Sequence, residues 1–312
     1  MKKWLGFVLA SLLVSCAFAQ TDSNIQFLRP YHGEDPSPLS GCYSGTPCEL
    51  QYHGGPIFTD APTIYIVYYG SFTSKDKSII NTYFKNLSGS AQEKINTRYS
   101  DSTGKYYPGT IKFDPSKDTY HDNYSEGKTL SDIQPVIAAA IKNKHLPNDT
   151  NGIYIGLTYK DVNYGGMCTS YCGYHGPSTS IVSGETIKYA FVGDPGQCPD
   201  SCSYEALYGT KASPNNDIDA DGSINIMWHE SSESLSDPEV NLNSAWYSPA
   251  GYESMDLCAW LNLSYKIDKN GNYYSVLTKG HEYLTQMGFE LNEKTRSGVV
   301  PGTCENVYKN IH

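Results

Sequence analysis

Hydrophobic and polar positions divide the chain into three stretches. Lys2 and Lys3 precede an apolar run from Trp4 to Val14, followed by the small-residue pattern Ala17-Phe18-Ala19. A basic start, a short apolar core and a small-residue site together predict a secretory signal peptide over 1–19, cut before Gln20. The run is too short to cross a bilayer, and no later stretch reaches about 18 consecutive apolar residues. From 20 to 62 the periodicity disappears and Pro, Gly and Ser are frequent, which predicts an irregular N-terminal arm. Regular patterning begins at Thr63, and 63–312 reads as a single domain without repeat, low-complexity tract or linker.

Within that domain, strand and helix patterns alternate. "TIYIVYYG", Thr63 to Gly70, is a β-branched and aromatic run closed by glycine, which predicts a buried strand. Ser74 to Leu87 places Ile79, Ile80, Tyr83, Phe84 and Leu87 at helical spacing after a serine cap. Thr129 to Lys144 does the same with Leu130, Ile133, Ile137 and Ile141, with an early kink expected at Pro135, and leads into the strand "GIYIGLTY", Gly152 to Tyr159. Asn163 to Ser203, rich in Cys, Gly and Tyr, is expected to form short strands and disulfide-bound loops. A further helix beginning near Ser223 ends at Asp237-Pro238, because proline disfavours helical backbone in the residue before it. The expected class is α/β, with a mixed sheet, packed helices and disulfide-bonded loops.

Cysteine content and charge narrow the setting. Beyond Cys16 in the leader, the cysteines are Cys42, Cys48, Cys168, Cys172, Cys198, Cys202, Cys258 and Cys304, an even set that favours disulfides in an exported chain. A four-thiolate zinc site from Cys168, Cys172, Cys198 and Cys202 is disfavoured by the three-residue spacers and the oxidising compartment. The pairing is open, although Cys42 and Cys48 enclose a short loop that a disulfide would pin. Asn86, Asn123, Asn148 and Asn262 begin Asn-x-Ser/Thr sequons, and a glycan on any of them requires a surface position. The formal net charge of −10, more negative once Lys2 and Lys3 are removed, excludes nucleic acid and anionic membrane as natural partners.

The segment "INIMWHESSESLSDP" carries the candidate chemistry. On a helix, His229 and Glu233 are i and i+4 and project from one face toward a common cation, while Glu230 is one step round, placed to address a water. Zinc takes three protein ligands plus water in catalytic sites, so a further acid is needed. "YESMDLC" offers Glu253 and Asp256, three apart and on one face if helical, and Glu253 lies twenty residues after Glu233 as in the glutamate-ligand zincins. Such an oxygen-rich set holds zinc less selectively than a two-histidine set. The competing reading is an acidic solvated helix face. Ile224, Ile226, Met227 and Trp228 argue for a packed helix instead, and buried carboxylates need a partner.

Upstream, Asp217, Asp219 and Asp221 alternate before Gly222, matching the opening of a calcium loop, although Trp228 stands where the closing glutamate belongs. The competing reading is an acidic turn. His175 in "CGYHG" reads as a structural histidine before a ligand, and His53 in "YHGGP" lies in a turn setting. No G-x-S-x-G elbow or P-loop occurs in the sequence.

In order along the chain, "QYHGGPIF", "TIYIVYYGSF", "YCGYHG", "YAFVGDPGQCPDSC", "NNDIDADGSINIMWHESSESLSDP", "SAWY" and "YESMDLC" resemble the plant EXORDIUM or phosphate-induced protein family, from about Gln51 to Cys258. The resemblance implies a secreted protein, often associated with the cell wall and linked to growth control. It also implies a zincin-like core, with His229 and Glu233 as ligands, Glu230 as general base, and Glu253 or Asp256 completing the set. Two functions are expected on this basis: a metal-dependent peptide hydrolase with zinc, and calcium as a further candidate ion, or a non-catalytic extracellular protein. In the second, tyrosine-rich surfaces bind a protein, peptide or cell-wall glycan.

Overall fold

The structure, a computed structural model, describes residues 27–28, 48–261, 265–294 and 298–305. The expected signal peptide, Cys42, Asn262 and most of the N-terminal arm lie outside the described residues.

In chain order the main elements are β1 (Phe27–Leu28), β2 (Cys48–Tyr52), β3 (Thr63–Tyr69), α1 (Ser74–Leu87), β4 (Thr119–Asp122), α2 (Gln134–Lys142) and β5 (Gly152–Thr158). They continue as β6 (Gly173–Ser178), β7 (Ile187–Gly193), α3 (Ile218–Ser236), β8 (Trp246–Tyr247), β9 (Gly288–Leu291) and β10 (Val299–Glu305). A six-stranded mixed sheet runs β1-β6-β7-β5-β3-β4. Strands β4, β3, β5 and β7 are parallel, with Ile66 opposite Ile155 and Gly156 opposite Phe191. Strand β6 runs antiparallel to β7, and β1 antiparallel to β6. The unbroken apolar runs of β3 and β5 follow from burial on both faces of a parallel sheet. A smaller antiparallel sheet, β8-β2-β10-β9, joins the two ends of the domain.

Several expectations are refined. Helix α1 is capped by Thr73, not Ser74: Thr73 Oγ1 accepts from the Asp76 amide and Asp76 Oδ2 accepts from the Thr73 amide, a closed capping box. Helix α2 starts at Gln134, and Pro135 sits in its first turn, where its missing N–H costs nothing, so it begins the helix rather than kinking it. Residues 129–130 are instead a short strand paired with Asn163–Tyr164. The stretch 163–203 is more regular than expected, since β6 and β7 lie inside the main sheet. Cys48–Tyr52, in the segment expected to be irregular, is a strand of the second sheet.

Three disulfides join described cysteines: Cys168 to Cys198, Cys172 to Cys202, and Cys258 to Cys304. The four cysteines weighed as a zinc site are therefore cross-linked to each other. Cys48 is also disulfide-bonded. Asn123 and Asn148 are exposed and Asn86 is half-buried, so the first two sequons meet the surface requirement.

Candidate metal centre

Helix α3 begins a turn and a half before Ser223, because Asp217 caps it: its carboxylate accepts from the Ala220 amide. From Ala220 to Ser236 the side chains are buried on every side. The helix packs across β6 and β7 on one flank and α1 on another. An all-round buried helix is normally apolar, but this one carries serines, a histidine and two glutamates. The serines satisfy themselves: Ser234 Oγ donates to the Glu230 carbonyl at 2.8 Å, and Ser236 Oγ to the Glu233 carbonyl at 3.3 Å. The histidine and glutamates cannot close on their own backbone and must find partners elsewhere.

Close approach to the sheet is possible because β6 opens with glycine. A Cβ on Gly173 would lie 2.6 Å from Ile226 and 2.9 Å from Glu230 Oε1, so any larger residue would push the helix off. Two residues on, and so on the same face, His175 points into the helix. Its Nδ1 lies 3.4 Å from Glu230 Oε2 and 3.6 Å from Glu233 Oε2, and its Nε2 3.5 Å from Glu253 Oε1. On the other side, His229 Nε2 lies 3.2 Å from Glu233 Oε2 and 3.6 Å from Asp256 Oδ1.

Surrounding groups fix these orientations. Gln286 Oε1 faces His229 Nδ1 at 3.1 Å, while the Gln286 amide groups are held by Asn225 and by the Met255 carbonyl. That contact places the Nδ1 proton toward Gln286 and leaves Nε2 for the acids. Glu233 Oε1 accepts from the Met255 and Asp256 amides, both at 3.0 Å, at the start of the 3-10 turn Asp256–Cys258. Its other oxygen, Oε2, is thereby turned inward. The disulfides Cys172–Cys202 and Cys258–Cys304 pin the two segments that carry His175 and Asp256.

Burial pushes the carboxyls of Glu230 and Glu253 upward, and Asp256 rises to about 8 through burial and the neighbouring Glu233. Burial also acts on Glu233, yet His229 and His175 outweigh it and hold its carboxyl below the usual range. Burial alone would lower both histidines, but the surrounding acids raise His229 to about 10 and His175 well above its ordinary value. The potential here is strongly negative and suits a cation.

Hydrogen bonding gives the test of fit. Buried atoms without a hydrogen-bond partner include both ring nitrogens of His175, His229 Nε2, both carboxylate oxygens of Glu230 and Glu253, and Glu233 Oε2. Buried polar atoms are almost always paired, so an orphaned donor group of this size in one place fits a cation. The spacing agrees. Ligand atoms bonded at 2.0–2.1 Å to one tetrahedral zinc lie about 3.3 Å apart, and His229 Nε2 stands 3.2 Å from Glu233 Oε2 and 3.6 Å from Asp256 Oδ1. Among the described residues, two sets have their donor atoms within 4.8 Å of one another: His229, Glu233 and Asp256, and His175, Glu233 and Glu253.

The sequence-derived candidates therefore separate. His229, Glu233 and Asp256 meet, while Glu230 contacts His175 at 3.4 Å. Glu253 belongs to the group around His175, a residue read from sequence as structural, and Gln286 had no sequence signal. Asp217, Asp219 and Asp221 do not converge. Asp217 caps the helix, Asp219 pairs with Lys160 at 2.6 Å, and Asp221 accepts from Ser213 and Asn215. His53 stacks on Tyr247 at 3.5 Å between ring centroids, away from the centre.

Fold and site define a disulfide-bonded α/β protein built around a buried histidine–carboxylate cluster. The chain belongs to the phosphate-induced protein family: the family's conserved region, described as "Phosphate-induced protein 1 conserved region", matches residues 50–283. It is 31% identical over 261 residues to Protein EXORDIUM-like 3 of Arabidopsis thaliana, covering 76% of this chain and 75% of the relative. Protein EXORDIUM-like 5 of the same plant is 32% identical over 272 residues, with 78% and 72% covered. Protein PHOSPHATE-INDUCED 1 of Nicotiana tabacum is 29% identical over 194 residues, with 56% and 60% covered. No solved structure matches the chain significantly. No helix among the described residues is long and apolar enough to cross a membrane.

Proposed function

We propose that this chain is an exported EXORDIUM-family protein with a zincin-like core, in which His229, Glu233 and Asp256 hold a divalent cation for the hydrolysis of peptide bonds. One observation carries the reading: the unpartnered, buried His229 Nε2 and Glu233 Oε2 on α3 converge with an Asp256 carboxylate oxygen at ligand spacing. Zinc is the cation of choice for a histidine and two carboxylates, and the oxygen-rich set also admits manganese. Bound there, the cation supplies Lewis acidity toward a carbonyl and a lowered pKa for water. Gln286 holds the His229 ring, and the backbone amides of Met255 and Asp256 hold Glu233, so the donor set needs little rearrangement. Glu230, buried and without a hydrogen-bond partner, accepts the proton of the attacking water and returns it to the leaving amine. Peptide or protein is the expected substrate, outside the cell.

A second reading has its own support in the enclosure of the site. His175, His229, Glu230, Glu233 and Glu253 are each at most 1% exposed, and catalysis needs an open position. In this reading the cation locks the core of a non-catalytic growth or wall protein that binds a protein or glycan partner.

Elemental analysis of the secreted, untagged protein, paired with a peptide-library cleavage assay, tests both. Divalent metal in the wild type and its loss from the His229→Ala, Glu233→Ala double variant is expected. Glu230→Gln should keep the metal and lose cleavage by about 10²–10⁴-fold. Metal without cleavage in the wild type selects the non-catalytic reading, and absence of metal overturns the cation altogether.

A further inference from the structure

The donor set around His175 deepens the proposed cation site and depends on that reading. We infer that the centre holds two divalent cations bridged by Glu233, the second bound by His175 and Glu253.

Among the described residues, the two histidines fall in separate donor groups, which share only Glu233. Ligand atoms of one zinc can be no farther apart than twice the bond length, about 4.2 Å, and neither group, even with donor atoms allowed up to 4.8 Å apart, contains both histidines. A single ion at His229, Glu233 and Asp256 therefore leaves His175 and Glu253 facing each other at 3.5 Å, outside hydrogen-bond geometry. Both ring nitrogens of His175 and both carboxylate oxygens of Glu253 lack hydrogen-bond partners, and both side chains are at most 1% exposed. A histidine kept only for packing would have at least one nitrogen on a backbone or side-chain partner.

Charge points the same way. Glu230, Glu233, Glu253 and Asp256 are all buried and carry four formal negative charges when ionised. One divalent cation neutralises half of that and two neutralise all of it, which would keep these carboxylates paired out of water. Asp237, also buried, has Oδ1 on the Ala245 amide and Oδ2 without a hydrogen-bond partner, and it belongs to neither donor group. Glu233 is built as a bridge. Its Oε1 is fixed by two backbone amides, and its Oε2 stands between His229 Nε2 at 3.2 Å and His175 Nδ1 at 3.6 Å. Two-metal sites place their ions roughly 3.5–4 Å apart, a spacing that one shared carboxylate spans. The sequence signal is a histidine two residues after a glycine on a strand, with the glycine admitting the helix and the histidine meeting it.

Metal counting on the full secreted chain, stripped with chelator and reloaded with Zn²⁺ or Mn²⁺, tests the inference. About two ions per chain are expected in the wild type. His175→Gln and Glu253→Gln should each fall to one, as should Asp256→Asn, while Glu233→Gln should lose both. The Mn²⁺-loaded wild type should give an exchange-coupled paramagnetic resonance signal that becomes an isolated-ion signal in His175→Gln; the wild-type spectrum decides even if a variant fails to fold. One ion per chain, kept in His175→Gln and lost in Asp256→Asn, overturns the second position and leaves the proposed function standing. Absence of any ion overturns both. Two ions without magnetic coupling overturn the shared bridge.

Discussion

Two buried acidic regions behave differently in this molecule. At the start of α3, Asp221 is nearly as enclosed as the acids of the proposed metal centre, and burial lifts it to about 7. Yet its oxygens accept from Ser213 Oγ, the Asn215 amide and Asn215 Nδ2, so the carboxylate is fully served by protein. Two and three turns further on along the same helix, both oxygens of Glu230 and Oε2 of Glu233 lack a hydrogen-bond partner. Burial and acidity are common to both regions. What separates a structural acid from a ligand is whether neutral donors surround it, and around His175 and His229 the neighbours are other acids.

The largest test of that contrast is removal of the proposed cation. A ligand present at about 1,000 times its dissociation constant stabilises the folded state by about 4 kcal/mol. In a domain of this size that is a shift of roughly 10 °C in melting midpoint. Chelation should lower the midpoint by that amount and Zn²⁺ should restore it, as read by scanning calorimetry. An unchanged midpoint would show that the acids around Glu233 are satisfied without metal, and the contrast with Asp221 would collapse.

Substitution of Asp221 probes the other side. Asp221→Ala strands buried donors on Ser213 and Asn215, at a cost of about 1–3 kcal/mol. We expect a loss near the upper end of that range in urea denaturation, with metal content unchanged. A fall in bound metal would mean that the start of α3 contributes to the centre after all.

Glu93 gives a third comparison, through pH. It is buried, accepts from the Tyr107 hydroxyl, and is raised by burial to about 7 from an ordinary value of 4.5. The folded state then binds more protons than the unfolded chain between those values. Its stabilising contribution is complete below pH 4.5 and is lost as pH rises through 7. Glu93→Gln should remove that loss, gaining roughly 3 kcal/mol on the wild type between about pH 4 and pH 8. Cation affinity runs in the opposite sense, because protons compete for the ligands at low pH. Denaturation series with and without metal would separate the two slopes; parallel curves for wild type and Glu93→Gln would refute the assignment.

Legibility in the sequence depends on whether the signal is local. His229, Glu230 and Glu233 are legible because helical spacing puts i and i+4 on one face, and Ile224 to Trp228 show that the helix is packed. The terminus at Asp237-Pro238 is legible from proline sterics. The choice between Glu253 and Asp256 is not, since Asp256 opens a 3-10 turn in which spacing does not fix a shared face. His175 escapes local reading because its partners come from α3 and from residue 253, and no local period encodes a contact across the sheet. The alternating aspartates resemble a calcium loop, but Trp228 already stands at the closing position. Capping by Asp217 and the demand of Asn215 and Ser213 for an acceptor decide the local structure instead.

The smallest effect is expected at Asp219, the remaining member of that aspartate set. Its partner is Lys160, with Nζ at 2.6 Å, but the two side chains are 24% and 45% exposed. Water already solvates both charges, so the pair contributes about 0.5 kcal/mol or less. Lys160→Ala should therefore barely move the denaturation midpoint and leave Ca²⁺ binding at the background of the wild type. If Ca²⁺ instead bound once the lysine was gone, Lys160 would be occupying an ion position, and the start of α3 would join the metal centre as a place where the protein supplies acids to a cation. Asp219 and Glu233 would then differ in only one respect: at the surface a lysine can take the place of the ion, while in the core the acids have no lysine to meet them.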